Sequence, residues 1–78
     1  MFNQNDKIVV MQNPSYLGGN MWFTTEENYK KRGTKEYNRY KQMAIPWDES
    51  IKTFDLVVSF LNKTYGFKPE NIINLTRL

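Results

Sequence analysis

The stretch DESIKTFDLVVSFLNKTYG, residues 48–66, decides what kind of fold this chain can adopt. It carries apolar residues three and four positions apart, the spacing that places side chains on one face of an α-helix. These residues are Ile51, Phe54, Val58, Leu61 and Tyr65. Asp48 is a suitable N-cap, and Gly66 is a suitable C-terminal stop. We therefore predict a long helix over residues 48–65.

The apolar surface of this predicted helix is wider than a single stripe. Three further residues extend it: Leu56, Val57 and Phe60. A short chain has difficulty covering such a surface, because a domain of this size buries only about 60% of the surface of its unfolded form. We expect the helix either to be the buried centre of the domain or to place one face against another chain. Self-association, as a homo-oligomer, is therefore expected.

Two strands are predicted before the helical part of the chain. Residues 7–12 include four consecutive apolar side chains, which is typical of a strand covered on both faces. Pro14 ends this strand because proline has no amide hydrogen for a ladder. Residues 18–20, Gly-Gly-Asn, can take the positive φ values that reverse a chain. Residues 21–24 then predict a second strand, paired with the first as a hairpin.

Two shorter helices are predicted between the second strand and the long helix. Thr24 can cap the amide of Glu27, whose side chain can reach back, and cations followed by Gly33 form a stop signal. A second helix is predicted from Thr34 to about residue 44. Pro46 ends it, because the residue before a proline is pushed out of the helical region.

The last residues, 72–78, alternate weakly between apolar and polar side chains and predict a closing edge strand. The predicted order is β-β-α-α-α-β in one domain, residues 1–78. We expect an α+β fold in which a small sheet of about three strands packs on the long helix of the C-terminal half. If the last strand lies parallel to its neighbour, the helical section is a right-handed crossover.

Residues 60–76, FLNKTYGFKPENIINLT, resemble the helix-to-strand connection of caspase-like and other Rossmann-type α/β folds. In those folds a helix ends in a YGF-like turn, and a sequence like ENI begins the next strand. The resemblance covers less than a quarter of the chain and implies a packing arrangement. It implies no peptidase activity, because that activity needs a histidine and a cysteine and the chain contains neither.

The composition excludes several kinds of chemistry. Without histidine the chain lacks the commonest general base and the commonest metal ligand. Without cysteine it lacks a thiolate nucleophile, a thiolate metal site and any disulfide. We therefore predict a protein that is not an enzyme and has no catalytic residues, no metal site and no cofactor.

The sequence also predicts where the protein acts. No segment approaches the roughly 20 apolar residues that a membrane span needs. The first residues lack the basic-then-apolar order of a signal peptide. We expect a cytoplasmic protein with no membrane partner. Asparagine, lysine, tyrosine, phenylalanine and isoleucine dominate the composition, and their AT-rich codons are common in phages and mobile elements.

Positive charge is concentrated in residues 28–41, NYKKRGTKEYNRYK, which hold six cations and one carboxylate. On the predicted helices, Lys31, Lys35 and Arg39 share one face. Tyrosines are interleaved with these cations. Such a segment can bind phosphates and stack on unpaired bases, or it can be a solvated face whose tyrosine rings lie on the core.

The stretch NPSYLGGNMWF, residues 13–23, has three interpretations. It lacks the glycine spacing and the following helix start of a phosphate-binding loop. A hairpin turn is favoured, because a strand-like run follows the glycines. The tip of that hairpin would expose Tyr16 and Leu17, so a recognition loop is the remaining alternative.

These observations favour a small, non-enzymatic binding protein encoded by a phage or mobile element. We expect it to inhibit or modulate a host protein or nucleoprotein complex through a basic, tyrosine-containing surface. Two alternatives stay open: direct binding of nucleic acid, and an oligomer that sequesters a nucleotide or another phosphorylated small molecule. The predicted contact residues are Tyr16, Lys30, Lys31, Arg32, Lys35, Arg39 and Tyr40.

Overall fold

The computed structural model describes residues 2–12, 21–45, 53–76 and 78, which form a small α+β domain. Its regular elements, in chain order, are β1 (Ile8–Gln12), β2 (Met21–Thr25), α1 (Glu26–Tyr29), β3 (Met43–Ile45), α2 (Phe54–Tyr65) and β4 (Ile72–Leu75). Two short 3₁₀ helices, Arg39–Lys41 and Pro69–Asn71, precede β3 and β4. The predicted fold class is confirmed.

In the described part of the chain the strands form one four-stranded sheet in the order β3-β2-β1-β4. The β1 and β2 strands are antiparallel, as the hairpin prediction requires, and Val10 lies opposite Phe23. The β4 strand is parallel to β1, and β3 is antiparallel to β2. The prediction of about three strands was one too few, because β3 was taken for part of a helix.

One face of the sheet forms the core with α2. The buried residues of this core are Ile8, Val10, Met21, Phe23, Ile45, Val57, Leu61 and Phe67. Aromatic rings join the sheet to the end of the helix: Tyr65 stacks on Phe67 with centroids 5.3 Å apart, and Phe2 lies 5.2 Å from Phe23. Burial of these large apolar side chains supplies most of the stabilisation, since the chain has no disulfide.

The helix α2 is shorter, in the described residues, than the predicted helix over 48–65. It begins at Phe54, where the Thr53 side chain accepts a hydrogen bond from the Leu56 amide. The proposed cap, Asp48, lies outside the described residues. Gly66 ends the helix in the left-handed conformation, with φ of 79°, as predicted.

The buried stripe of α2 is also rotated from the predicted one. Val57 and Leu61 are fully buried, whereas Val58 is only half-buried and Leu56 is 45% exposed. Part of the wide apolar surface of the helix therefore faces outward in a single copy of the chain. Phe60 is partly buried and packs against the core.

The helix predicted over residues 34–44 is wrong. This segment contains turns, one 3₁₀ helix and the β3 strand. Pairing with β2 places Ile45 opposite Met21, and both side chains are buried. This tertiary pairing outweighs the local helix preference of the segment, which is worth only tenths of a kcal/mol per residue, roughly 0.7 at most.

The preceding helix is also shorter than predicted. The α1 helix is a single turn, and its N-cap is Thr25, whose hydroxyl accepts a hydrogen bond from the Asn28 amide at 3.1 Å. The predicted cap, Thr24, is instead a fully buried residue of β2. The chain leaves the sheet one residue later than the capping pattern indicated.

Residues 60–76 form a helix-to-strand connection in the structure. After Gly66 the chain passes through the buried Phe67 and a 3₁₀ helix into β4, which lies parallel to β1. Within the described part of the chain, no helix has the length and apolar character needed to cross a membrane.

Candidate binding surface

The candidate site is the segment of residues 30–41, called the basic loop from here on. It leaves α1 and returns through a 3₁₀ helix to β3. The loop runs from α1, which contacts β1 and β2, to the start of β3, an outer strand of the sheet among the described residues.

A buried asparagine anchors the basic loop. Asn28 is only 4% exposed, and its side-chain amide donates to the Asn38 carbonyl at 2.9 Å. The Asn38 amide donates back to the Asn28 Oδ1 at 2.8 Å. A further bond of 2.9 Å joins the Asn28 amide group to the Thr24 hydroxyl in β2. The loop is thereby tied to the sheet by a side chain whose polar atoms are paired, as burial demands.

Short-range hydrogen bonds shape the rest of the loop. Thr34 donates its hydroxyl to the Lys31 carbonyl at 2.6 Å, and Gly33 takes a left-handed φ of 80° within this turn. The Asn38 side chain accepts a hydrogen bond from the Tyr40 amide at 2.9 Å and caps the start of the 3₁₀ helix. The Tyr37 hydroxyl donates to the Gln42 side chain. These contacts give the loop a defined conformation without a regular helix.

Three of the six cations have partners in α1. Lys30 and Lys31 form ion pairs with Glu26 and Glu27, at 3.6 and 3.7 Å, in the i to i+4 spacing of a helix. The Arg32 guanidinium lies 5.0 Å from the centre of the Tyr29 ring. Exposed ion pairs contribute about 0–1 kcal/mol each, and here they partly offset the charges of Lys30 and Lys31.

The other three cations, Lys35, Arg39 and Lys41, are exposed. In the described ranges, none of them has a carboxylate within ion-pair distance. Next to them Tyr40 is 94% exposed, the most exposed large hydrophobic side chain of the described residues. Residues 35–40 line a depression that is open to solvent. This surface offers positive charge and an aromatic ring to a partner.

The net positive charge of the sequence is concentrated in the segment that contains this surface. Residues 26–41 hold six cations and three carboxylates, a net charge of +3, which equals the formal net charge of the whole protein. The remaining residues hold five cations and five carboxylates and are neutral. An anionic partner is therefore attracted to one end of the domain.

The structure divides the predicted contact residues into groups. Lys30, Lys31 and Arg32 lie beside α1 partners, whereas Lys35, Arg39 and Tyr40 are exposed, and the two cations among them form no ion pair with any described residue. Tyr16 lies outside the described residues. The expectation that Lys31, Lys35 and Arg39 share a helix face is wrong, since no helix runs through them.

Sequence reasoning missed two residues that matter for this surface. Lys41 belongs with the unpaired cations, and its place directly after Tyr40 was a signal that could have included it. Asn28 anchors the loop, but nothing in its sequence neighbourhood predicts a partner ten residues away. Within the described residues, no group of three or more acidic, histidine or cysteine side chains could hold a metal ion.

Comparison of the chain with known protein families, curated proteins and solved structures finds no match. The functional conclusion therefore rests on the geometry and chemistry of the basic loop.

Proposed function

We propose that this chain is a non-enzymatic binding protein that contacts an anionic surface of a host protein or nucleoprotein complex through the basic loop. Binding would inhibit or modulate that complex, as expected of a small product of a phage or mobile element. The contact residues in this proposal are Lys35, Arg39, Tyr40 and Lys41, all of which are exposed.

The observation that carries this proposal is the exposure of Tyr40 among unpaired cations. A tyrosine on a core face would be largely covered, as Tyr65 is, whereas Tyr40 is 94% exposed. Tyrosine and arginine are the side chains most often found at the energetic centres of protein interfaces. Their occurrence side by side at positions 39 and 40 is what a contact surface requires.

The anchoring of the loop strengthens the proposal. The two hydrogen bonds between Asn28 and the Asn38 backbone hold the start of the 3₁₀ helix against the sheet. A loop whose backbone is ordered before binding loses less conformational entropy when a partner arrives. The backbone at Asn38, beside the proposed contact residues, is therefore held in place before a partner binds.

Direct binding of single-stranded nucleic acid is the second candidate, and the same tyrosine favours it. Base stacking on an exposed aromatic ring contributes about 1–3 kcal/mol per base, and neighbouring cations neutralise phosphates. Sequestration of a nucleotide or another phosphorylated small molecule is less favoured. A small-molecule site encloses about 70–90% of its ligand, and the depression at residues 35–40 is open.

The main proposal is tested by affinity purification from a host lysate. The wild-type chain is compared with the double variant Lys35→Glu/Arg39→Glu, and a matched control reverses two exposed lysines elsewhere, Lys63→Glu/Lys68→Glu. Both variants change the net charge equally. We expect the wild type and the control to retain the same host protein, and the loop variant to lose it. Recovery of nothing specific by the wild type overturns the proposal.

The second candidate is tested with a labelled oligonucleotide at several salt concentrations. Binding to phosphates releases counterions from the nucleic acid, and this release is less favourable at high salt. The affinity should therefore fall steeply as the salt concentration rises. Absence of binding at low salt excludes direct nucleic-acid recognition. A thermal shift with a panel of nucleotides tests the small-molecule alternative, since a ligand bound only by the folded chain raises its melting temperature.

A further inference from the structure

We propose that two copies of this chain associate through β4, edge to edge and antiparallel, so that the sheet extends from four strands to eight. The partner is a second copy of the same chain, and the interface is the free side of β4. This association is independent of what the basic loop binds.

The first observation is the open edge of the sheet. Among the described residues, β4 pairs only with β1, so its other side presents backbone donors and acceptors without a neighbouring strand. Natural proteins usually protect such an edge with lysine, proline, a bulge or a covering element. The four residues of β4 are Ile72, Ile73, Asn74 and Leu75, and they include no charge and no proline.

The opposite edge strand differs from β4 in length and in the residue that follows it. Among the described residues β3 has three residues and β4 has four, and Pro46 follows β3 directly in the sequence. A shorter strand followed by a proline is a poorer template for pairing, because proline has no amide hydrogen to donate. Association is therefore directed to β4 and stops at two copies.

The second observation is an apolar row that ends at β4. Leu75 lies in register with Met11, and Met11 lies in register with Trp22. Side chains alternate along a strand, and Val10 and Phe23 belong to the core beneath α2, so this row is on the opposite face of the sheet. Leu75 is 49% exposed at the end of the row. A second β4 strand would continue the row and cover Leu75.

The third observation is charge. The net charge of +3 resides in residues 26–41, which run from α1 to the start of β3, and the rest of the sequence carries no net charge. Pairing through β4 joins strands that lie outside this charged segment, and the two-fold axis places the two basic loops on opposite sides of the new interface. Across eight strands spaced about 4.8 Å apart, the loops are separated by more than the Debye length of about 8 Å at physiological salt. Repulsion between the copies is small in this arrangement.

Symmetry completes the inference. Two identical strands related by a two-fold axis run antiparallel, and each backbone donor of one copy meets an acceptor of the other. The contact is closed because both copies use the same edge. The dimer is thus self-complementary and does not grow into a filament.

The test measures the dissociation constant of the dimer by sedimentation equilibrium for the wild type, for Leu75→Lys and for a matched control, Met43→Lys. Met43 is also an exposed apolar residue of an edge strand, 38% exposed, but it belongs to β3. We expect a concentration-dependent dimer for the wild type and for Met43→Lys. Leu75→Lys should weaken the dimer about tenfold or more, which corresponds to about 1.4 kcal/mol.

Hydrogen exchange of the unaltered chain gives a second readout, which holds even if a variant fails to fold. Amides of residues 72–75 should exchange more slowly as the protein concentration rises, while those of residues 43–45 should not change. A wild-type chain that stays monomeric at every concentration overturns the proposal. Equal weakening by Leu75→Lys and Met43→Lys overturns it as well.

Discussion

The side chain of Asn28 forms a two-point hydrogen-bonded contact with the backbone of Asn38, at 2.9 Å to its carbonyl and 2.8 Å from its amide. The contact spans ten residues and closes the basic loop over the end of the sheet. One buried carboxamide therefore joins the packing of the domain to the conformation of the proposed binding surface. Its removal should affect both.

Replacement of Asn28 by alanine should lower the free energy of unfolding by about 1–3 kcal/mol, because the buried Thr24 hydroxyl and the Asn38 backbone lose their partner. Chemical denaturation measures this change. Asn5→Ala, at an exposed position outside the contact, is the control and should shift stability by no more than about 0.5 kcal/mol. Equal effects of the two substitutions would contradict the role assigned to Asn28.

The two faces of α2 should respond differently to truncation. Leu61 is fully buried in the core, so Leu61→Ala should lower the free energy of unfolding by about 2–5 kcal/mol. Leu56 is 45% exposed, and Leu56→Ala should have a much smaller effect, within about 1 kcal/mol. Urea titration of both variants measures the difference. A larger loss of stability for Leu56→Ala than for Leu61→Ala would mean that α2 turns a different face toward the core.

The end of α2 depends on backbone conformation at Gly66. Gly66 has a φ of 79°, in the left-handed region, where a residue with a Cβ atom is strained. Gly66→Ala should therefore lower the free energy of unfolding by about 1–2 kcal/mol. The added methyl group itself would be 3.5 Å from the Gln4 Oε1, an ordinary contact, so crowding adds little. Gly66→Asn is the control, since asparagine tolerates this conformation better. Thermal melting should rank glycine first, asparagine second and alanine last.

Tyr40 should separate binding from stability. Because its ring is almost fully exposed, Tyr40→Ala should change the free energy of unfolding by no more than about 0.5 kcal/mol. The same substitution should weaken binding of the partner captured by the wild-type chain, by about 1 kcal/mol or more if Tyr40 is a contact residue. Calorimetric titration measures this effect. Unchanged affinity would remove Tyr40 from the proposed surface.

Tyr65 provides the comparison for Tyr40. Its ring stacks on Phe67 and is partly buried against the core, so Tyr65→Ala should lower the free energy of unfolding by about 1.5–3 kcal/mol. Substitution of Tyr65 would then change stability, whereas substitution of Tyr40 would change binding. A Tyr65→Ala variant as stable as the wild type would mean that this ring contributes little to the packing of the aromatic cluster.

Much of the architecture was predictable where local and tertiary preferences agree. The apolar run of β1 and the periodic apolar residues of α2 are long enough that one secondary structure buries them well. Gly66 ends the helix by its own conformational freedom. The concentration of cations in residues 28–41 was also visible, since charge is a property of composition.

The segment between α1 and α2 was not predictable in the same way. Its local preference favours a helix, but Ile45 is buried only when the chain extends beside β2. Such a choice depends on a strand that lies far away in the sequence, so no local pattern reveals it. The prediction that Lys31, Lys35 and Arg39 share a helix face is wrong for this reason.

By itself, the sequence determined that this chain contains no histidine and no cysteine, that its net charge lies in one segment, and that strands precede and follow an apolar helix. Only the tertiary structure decided which cations pair with α1, which tyrosine is exposed and which strands, among the described residues, lie at the edges of the sheet. The physical reason is that composition and periodicity are properties of neighbouring residues. Pairing and exposure instead depend on contacts between residues that are distant in the chain, such as Asn28 with Asn38 and Ile8 with Ile72.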